Sequence, residues 1–377
     1  MKISAVKAHA EAIPLPRPFH GSNYVYTAKK AVFIEIDTDA GIQGYCYLGD
    51  DFGLGNEIAG KINQDIGPAL LGADPLNVQD HWQWMRGFCR DILADRRVAL
   101  HAQALVDICL WDIVGKERGQ PLAAVFGEAP TARPVIAVAG YYAPGKTLAD
   151  LADEALELIR LGCAGMKLKV GGAELGQDTA RVQAIRRAAG PEFLLAVDAN
   201  QAWSLGEAKE FLAQTARENL YWLEEPVHWD NDVADLATLR AGTDVPICAG
   251  QSEWSVAGAK RLIEAGAIDI CNLHPGYSGG VTPWLEIAAF AAARGIAMAN
   301  TGEPQLSAQL IPAMVHGTCV EIYHPERDPI FPAHCRAAAT VKNGRISPGE
   351  APGWGIEPRS KKSAKAQKSP KPGAAGT

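Results

Sequence analysis

Two lysines two residues apart, Lys167 and Lys169, stand in the apolar run Gly165-Met166-Lys167-Leu168-Lys169-Val170. On a β-strand side chains alternate, so both ammonium groups would face the same side. Mutual repulsion and burial both favour the neutral amine, and each pKa is expected to fall. A lysine depressed in this way can serve as a general base near neutral pH. Alone, the pair reads as a wet edge strand, because lysine is almost never buried unpaired. Other strand ends change that reading. Asp198 closes the run 193–198, Glu224 closes 220–224 just before Glu225-Pro226, and Gln251-Ser252-Glu253 follows 245–249. Taken singly, a strand-end Asp is commonly a helix N-cap and Glu-Pro is ordinary turn chemistry. Taken together, Asp198, Glu224 and Glu253 would converge as hard oxygen ligands suited to Mg2+.

Such convergence needs a parallel sheet whose strands all end at one mouth. From about residue 134 strand-like runs occur at 135–139, 165–170, 193–198, 220–224, 245–249, 268–273, 295–299 and 318–323. They recur at intervals of roughly 25–30 residues with helical patterning between, the βα signature of a barrel or doubly wound sheet. About eight strands favour the barrel, with its site at the strands' C-terminal ends. Thr147 followed by Asp150 predicts a capped helix whose apolar stripe is Leu148, Leu151, Ala152, Ala155, Leu158 and Ile159. Residues 1–130 read as a separate α+β domain, with a hairpin over 31–48 and helical periodicity through 57–118, clearest over 104–113. Residues 131–325 form the barrel and 326–357 return to the first domain. Residues 358–377 are rich in Lys, Ser, Pro and Ala and read as a disordered basic tail.

Composition narrows the function classes. The 377 residues are 47% apolar and 21% charged, enough to bury a sizeable core. Net charge is −7, and because six Lys/Arg and no acid lie in the tail, the body stands near −13. That argues against a nucleic-acid surface. The eight cysteines contain no C-x-x-C pair, and Cys109 and Cys271 lie in apolar runs, as reduced small hydrophobes of a cytoplasmic protein do. No apolar core of a signal peptide or run of membrane-spanning length is evident. Gly171-Gly172 has no accompanying phosphate-loop pattern.

The motifs Gly165-Met166-Lys167-Leu168-Lys169, Asp198-Ala199-Asn200 and Leu223-Glu224-Glu225-Pro226 resemble those of the enolase superfamily, mandelate racemase subgroup. Leu110-Trp111-Asp112 with Gly115-Lys116, Gly279-Gly280 and Pro352-Gly353-Trp354-Gly355 extend the resemblance over nearly all of residues 1–357. It implies an α/β fold, a modified (β/α)7β TIM-like barrel with an α+β capping domain, and Mg2+ at the barrel mouth. It implies abstraction of a proton α to a carboxylate, a reaction class for which the handled charge must be neutralised by metal and ammonium. In that scheme Lys169 is the base, Lys167 lowers its pKa and stabilises the enediolate, and Asp198 and Glu224 bind metal. Glu321 aligns with a family glutamate that contacts the substrate carboxylate; a hydrogen bond to His324 or a neighbouring strand end is the structural alternative. Asn200 is either a substrate or ligand contact or an Asx-turn residue.

Three departures shape the expected reaction. Aligned on Pro246, the third metal ligand falls at Gln251; Glu253, two residues on, keeps the same face if the strand continues and is the better Mg2+ ligand. The subgroup's His–Asp dyad is absent, its positions holding Thr301 and His274. A sixth-strand lysine is absent too, so His274 is left as an acid/base, a substrate contact or a structural group. A single base opposite a metal suits β-elimination of water, and the expectation is an acid-sugar (aldonate or aldarate) dehydratase giving a 2-keto-3-deoxy acid. Candidate polar contacts are His20, Asn23, Tyr24, His274, Thr301 and Glu303, with Arg17 and Lys29 available for a polyanion. The alternatives are a racemase, epimerase or cycloisomerase of the same superfamily, and a decayed barrel kept for binding. The expected partner is a small molecule, with no nucleic acid and no membrane, and a homo-oligomer is expected for such a barrel.

Overall fold

Alternating apolar and polar residues at the N-terminus build a three-stranded antiparallel sheet of β1 (Ile3–His20), β2 (Val25–Thr38) and β3 (Gln43–Gly49). The computed structural model describes residues 1–359 apart from Pro325 and Ala338; the tail expected from 358 on therefore lies outside the described residues from 360. β1 carries a register shift between Pro14 and Phe19, where two prolines cannot donate to the ladder. The buried face of the sheet packs on the helix Arg96–Glu117, whose N-terminus is capped by Asp95 accepting from Arg97 N. Contrary to the sequence expectation, this helix is long and apolar enough to cross a membrane, but 83% of its most apolar window is buried inside the protein.

The remaining strands are β4 (Arg133–Ala139), β5 (Gly165–Lys169), β6 (Leu194–Asp198), β7 (Trp222–Glu224), β8 (Ile247–Ala249), β9 (Ile270–Leu273), β10 (Ala297–Asn300) and β11 (Val320–Tyr323). β4 to β10 pair in sequence order, all parallel, and β11 pairs with β4. Met298 N donates to His316 O and Thr318 N to Met298 O, closing the ring between β10 and the approach to β11. A helix fills each gap, giving a (β/α)7β barrel. Two of these helices begin with capping boxes, Thr147/Asp150 and Ser204/Glu207, each worth about 1 kcal/mol. The first of them buries only Leu151, Ala155 and Leu158. Leu148 and Ile159 are exposed, so the expected stripe is narrower than its sequence pattern.

Strand alternation sorts the barrel interior into layers. Ile136, Ala196, Trp222, Cys248, Ile270, Ala299 and Cys319 form an apolar cluster inside the ring. Two residues further along the same strands stand Asp198, Glu224, Asn272 and Glu321, all buried. Their intervening neighbours Leu195, Val197, Leu223 and Val320 face outward into the main core against the helices. One period-2 pattern thus supplies both an apolar floor and the polar layer above it. All eight cysteines are free, seven of them buried, as expected of small hydrophobes.

Two carboxylates on the helix Arg96–Glu117 fasten distant segments. Asp107 accepts from Val281 N, Thr282 N and Thr282 Oγ1 at 2.7, 2.9 and 2.5 Å, capping the barrel helix Val281–Ala292 from outside. Gly280 is required there. It has φ +128°, and a Cβ would come within 2.4 Å of Asp107 Oδ2. Asp112 accepts from Tyr45 N and Trp354 N, both at 2.9 Å, and pairs with Lys116 at 2.6 Å. Residues 353 and 354 therefore return to the first domain, but Arg345–Ser347 instead pairs with barrel strand β4. The strand Ile356–Pro358 pairs with Cys335–Ala337, which places residue 358 in a sheet.

Candidate active site

β5 delivers both lysines to the barrel interior, where neither behaves as a surface amine: Lys167 is 1% and Lys169 5% exposed. Lys167 Nζ donates to both oxygens of Glu224 (2.9 and 3.1 Å) and both of Glu321 (2.8 Å each), with Asp198 Oδ2 at 3.8 Å. Lys169 Nζ donates to Asp198 Oδ2 at 2.5 Å and Asn200 Oδ1 at 3.0 Å. The expected fall in pKa does not occur at Lys167. Burial does push it down, but Glu224, Glu321 and Asp198 outweigh that and hold it well above the ordinary lysine value. Two ammonium groups set among carboxylates are attracted more than they repel each other. In turn, burial raises the Asp198 carboxyl but the two lysines win and hold it low, whereas burial prevails at Glu224 and pushes it up.

The end of β5 is held from outside the ring. Arg181 Nη1 donates to Lys169 O at 2.7 Å and to Asp178 Oδ1 at 2.9 Å, and Asp178 Oδ2 accepts from Gly171 N at 2.7 Å. This buried pair fixes the strand end from which Lys169 projects. Sequence reasoning missed it because the pair lies within a helix, apart from the strand-end pattern.

Above the lysines opens a cavity of about 460 Å³ between the barrel mouth and the loops of the first domain. Lys167, Lys169, Asn200, His274, Thr301, Glu321 and Tyr24 all line it, as expected. Asn200 sits at φ 46° and its Oδ1 also accepts from Tyr24 Oη at 3.1 Å, so its side chain is aimed at the site. Glu303 lies just behind the wall, its Oε1 accepting from Gly49 N at 2.7 Å with Lys29 Nζ 3.6 Å away. Three expectations fail. His20 ends β1, bridges Tyr142 through its backbone and does not line the cavity. Arg17 pairs with Glu326 at the exposed surface. Glu253 faces away from the mouth, its carboxylate lying where a Cβ on Gly258 would be, 1.6 Å from Oε2. β8 stops at Ala249 and Gly250 turns at φ +128°, so strand alternation ends before Glu253.

The residue that does reach the rim is Glu225, read from sequence only as turn chemistry. At φ 42° its carboxylate bends into the lining and accepts from Gly250 N and Gln201 Nε2, each at 3.0 Å. Gln251 lines the cavity beside it. Asp51, Arg327, Tyr26, Tyr277 and Tyr323 also line the wall. Tyr323 stands in phase with Glu321 on β11, whereas Asp51 and Arg327 lie outside the strands and Tyr277 lies in the short helix Pro275–Ser278, where no strand spacing announces them.

His274 stacks on Tyr277 with ring centroids 4.0 Å apart and accepts from Gly276 N through Nδ1 at 3.1 Å. An accepting Nδ1 carries no proton, so the neutral ring holds its hydrogen on Nε2. Burial pushes its pKa down to about 3, in keeping with that form. His274 is therefore built to donate a hydrogen bond.

The oxygen donors fit a hard divalent cation in kind. Asp198 and Glu224 are fully buried carboxylates from adjacent strands, and the Lys167 ammonium sits between them as a stand-in positive charge. Among the described residues no group of three or more His, Cys, Asp or Glu is arranged around one point for a metal ion, in keeping with glutamine at 251.

Comparison with known proteins agrees with this geometry. Residues 3–127 match the mandelate racemase / muconate lactonizing enzyme N-terminal domain family, and residues 150–362 the enolase C-terminal domain-like family. A solved mandelate racemase/muconate lactonizing enzyme from a marine actinobacterium, in complex with magnesium, is 36% identical with a TM-score of 0.86, covering 95% of this chain and 97% of that one. L-talarate/galactarate dehydratase from Salmonella typhimurium, liganded with magnesium and L-lyxarohydroxamate, is 26% identical with a TM-score of 0.86, covering 97% and 92%. The N-succinyl-L-Arg/Lys racemase of Bacillus cereus is 28% identical over 78% of each chain. These relatives are enzymes of more than one reaction type, and magnesium is the cofactor of the group. With its capping domain, its (β/α)7β barrel and its lysine and carboxylate strand ends, the chain belongs to the enolase superfamily, in the mandelate racemase subgroup.

Proposed function

We propose that the protein is a hydro-lyase that removes water from an acid sugar, with Lys169 as its one base. The observation that carries this reading is the asymmetry of the cavity. Lys169 ends β5, while His274, just past the end of β9 and four strands round the ring, has Nδ1 committed to Gly276 N and offers only a donor. A racemase of the two-base kind needs a proton acceptor on each face of the α-carbon, and a β-elimination needs one.

Magnesium, when bound, supplies positive charge beside the substrate's carboxylate oxygens. Asp198 and Glu224 would hold it, with the amide oxygen of Gln251 completing the protein donors and Glu225 fixing the turn behind. Lys169, freed from its contact with Asp198, takes the α-proton. Lys167, kept charged by Glu224 and Glu321, stabilises negative charge developing on the carboxylate. The C2–C3 double bond forms as the C3–O bond breaks, and the hydroxyl leaves as water with the proton carried by Lys169. The enol then tautomerises to the 2-keto-3-deoxy acid. Asn200, Tyr24, Thr301 and His274 are placed to hydrogen-bond the sugar hydroxyls.

The test is incubation of the magnesium-loaded enzyme with a panel of aldonates and aldarates in D2O. Formation of 2-keto acid supports the reading; α-deuterated, epimerised substrate without loss of water would replace it with proton transfer alone. Lys169→Ala should lower kcat by roughly 10²–10⁴-fold, the usual worth of a positioned acid–base group. Full activity in that variant removes Lys169 from the mechanism.

A further inference from the structure

We propose that Arg327, on the wall of the cavity, binds a second carboxylate, so that the substrate is a diacid of the aldarate type. The identity of the reacting end rests on the dehydratase reading above; the second anion site stands on its own observations. Arg327 lines the cavity. Its guanidinium carbon lies 4.8, 5.0 and 4.4 Å from the ring centres of Tyr26, Tyr141 and Tyr323. These rings hold the guanidinium from several sides but accept little hydrogen bonding. Among the described residues Arg327 has no carboxylate within ion-pair distance and its side chain makes no hydrogen bond.

The other cations of the wall are differently placed. Lys167 and Lys169 are held by carboxylates, Lys29 faces Glu303, and Lys30 is exposed to solvent. Asp51 lies on the same wall, but its oxygens are already engaged: Tyr26 Oη donates to Oδ1 and Tyr277 Oη to Oδ2, both at 2.9 Å. Arg327 is thus a sheltered guanidinium with its planar fork of donors unspent, the arrangement that recognises a carboxylate in bidentate fashion.

The spacing leaves room for a sugar diacid. The Tyr141 ring centre is 5.9 Å from Lys169 Nζ and 5.0 Å from Arg327 Cζ, so the two cations are separated by at most the sum, about 11 Å. With C–C bonds of about 1.5 Å, an extended six-carbon diacid spans roughly 6 Å between its carboxyl carbons. Lys169 meets the α-carbon rather than a carboxylate, so the far carboxyl carbon lies only four C–C bonds, roughly 5 Å, beyond it, within that limit. An aldonate would instead set a neutral hydroxymethyl group against the guanidinium.

The test compares galactarate with galactonate on the full-length, magnesium-loaded protein. Calorimetric binding to Lys169→Ala, which holds substrate without turning it over, should show galactarate roughly 10–100-fold tighter, the worth of a charged hydrogen-bonded contact. Arg327→Gln on that background should collapse the ratio of the two affinities, and Arg327→Lys, which keeps the charge but loses the fork, should restore part of it. Should Arg327→Gln fail to fold by thermal melt, the unmutated Arg327 comparison and the Lys variant still decide. Equal binding of the two acids, or an unchanged ratio in Arg327→Gln, overturns the second anion site. A clear preference for galactarate without any 2-keto acid from the wild-type enzyme keeps the site and removes the dehydratase reading.

Discussion

Gln251 and Glu253 differ by two positions and by everything that matters to a cation. Gln251 lines the cavity beside Glu225, whereas Glu253 faces the helix Val256–Glu264. Gln251→Glu is expected to tighten magnesium binding by about tenfold or more, because a carboxylate is the better hard-cation ligand. Glu253→Gln should leave it unchanged. Thermal-shift titration with Mg2+ measures both, since a ligand at 100 times its Kd stabilises the fold by about 2.7 kcal/mol. A loss of affinity in Glu253→Gln would return that residue to the metal site. The same contrast shows what sequence can carry. Lys167, Lys169, Asp198, Glu224 and Glu321 were legible because each stands in phase on a strand, where alternation dictates the facing. Glu253 was misread because the alternation was extended past Ala249, into a turn where Gly250 resets the backbone. Asp51, Glu225 and Arg327 had no periodicity to betray them, and only the folded loops bring them to one cavity.

At the scale of elements, the barrel depends on a helix that is not part of it. Asp107 supplies the N-terminal cap of Val281–Ala292, although burial pushes its carboxyl up to about 7 and only the Thr282 and Val281 donors oppose that. Asp107→Ala would leave two backbone N–H groups without partners and should cost about 1–3 kcal/mol. Gly280→Ala should cost on the order of 3 kcal/mol, combining a strained positive φ with a clash against Asp107. Urea unfolding measures both, and a Gly280→Ala protein as stable as wild type would mean that the Asp107 contact is dispensable. Of this element-level organisation, the strand–helix alternation and the capping box at Thr147 were readable in advance. The interlock was not, because its partners are 174 residues apart.

For the molecule as a whole, two buried histidines lower stability in acid. Burial holds His101 down at about 4 and His274 at about 3, both below the ordinary value of 6.5. In the window from 6.5 down to those values these histidines bind protons in the unfolded chain but not in the native one, so their share of the stability is full above 6.5 and falls as pH drops. For His101 the loss amounts to on the order of 3 kcal/mol. Unfolding free energies measured between pH 7 and pH 4 should therefore show His101→Gln losing less stability than wild type as pH falls. An equal slope in that variant would mean that His101 is protonated in the folded protein. The Asp112 carboxylate adds a constraint of another kind. Its bond to Trp354 N joins residues 242 positions apart, one in the first domain and one close to the end of the described chain. Since chains are synthesised from the N-terminus and domains fold as units, the first domain can be complete while its clasp for Trp354 stays open. That clasp shuts only after residue 354 has left the ribosome. A nascent chain stalled before residue 354 would therefore carry an assembled cap over an unlatched barrel, and this is the stage at which chaperones would find it.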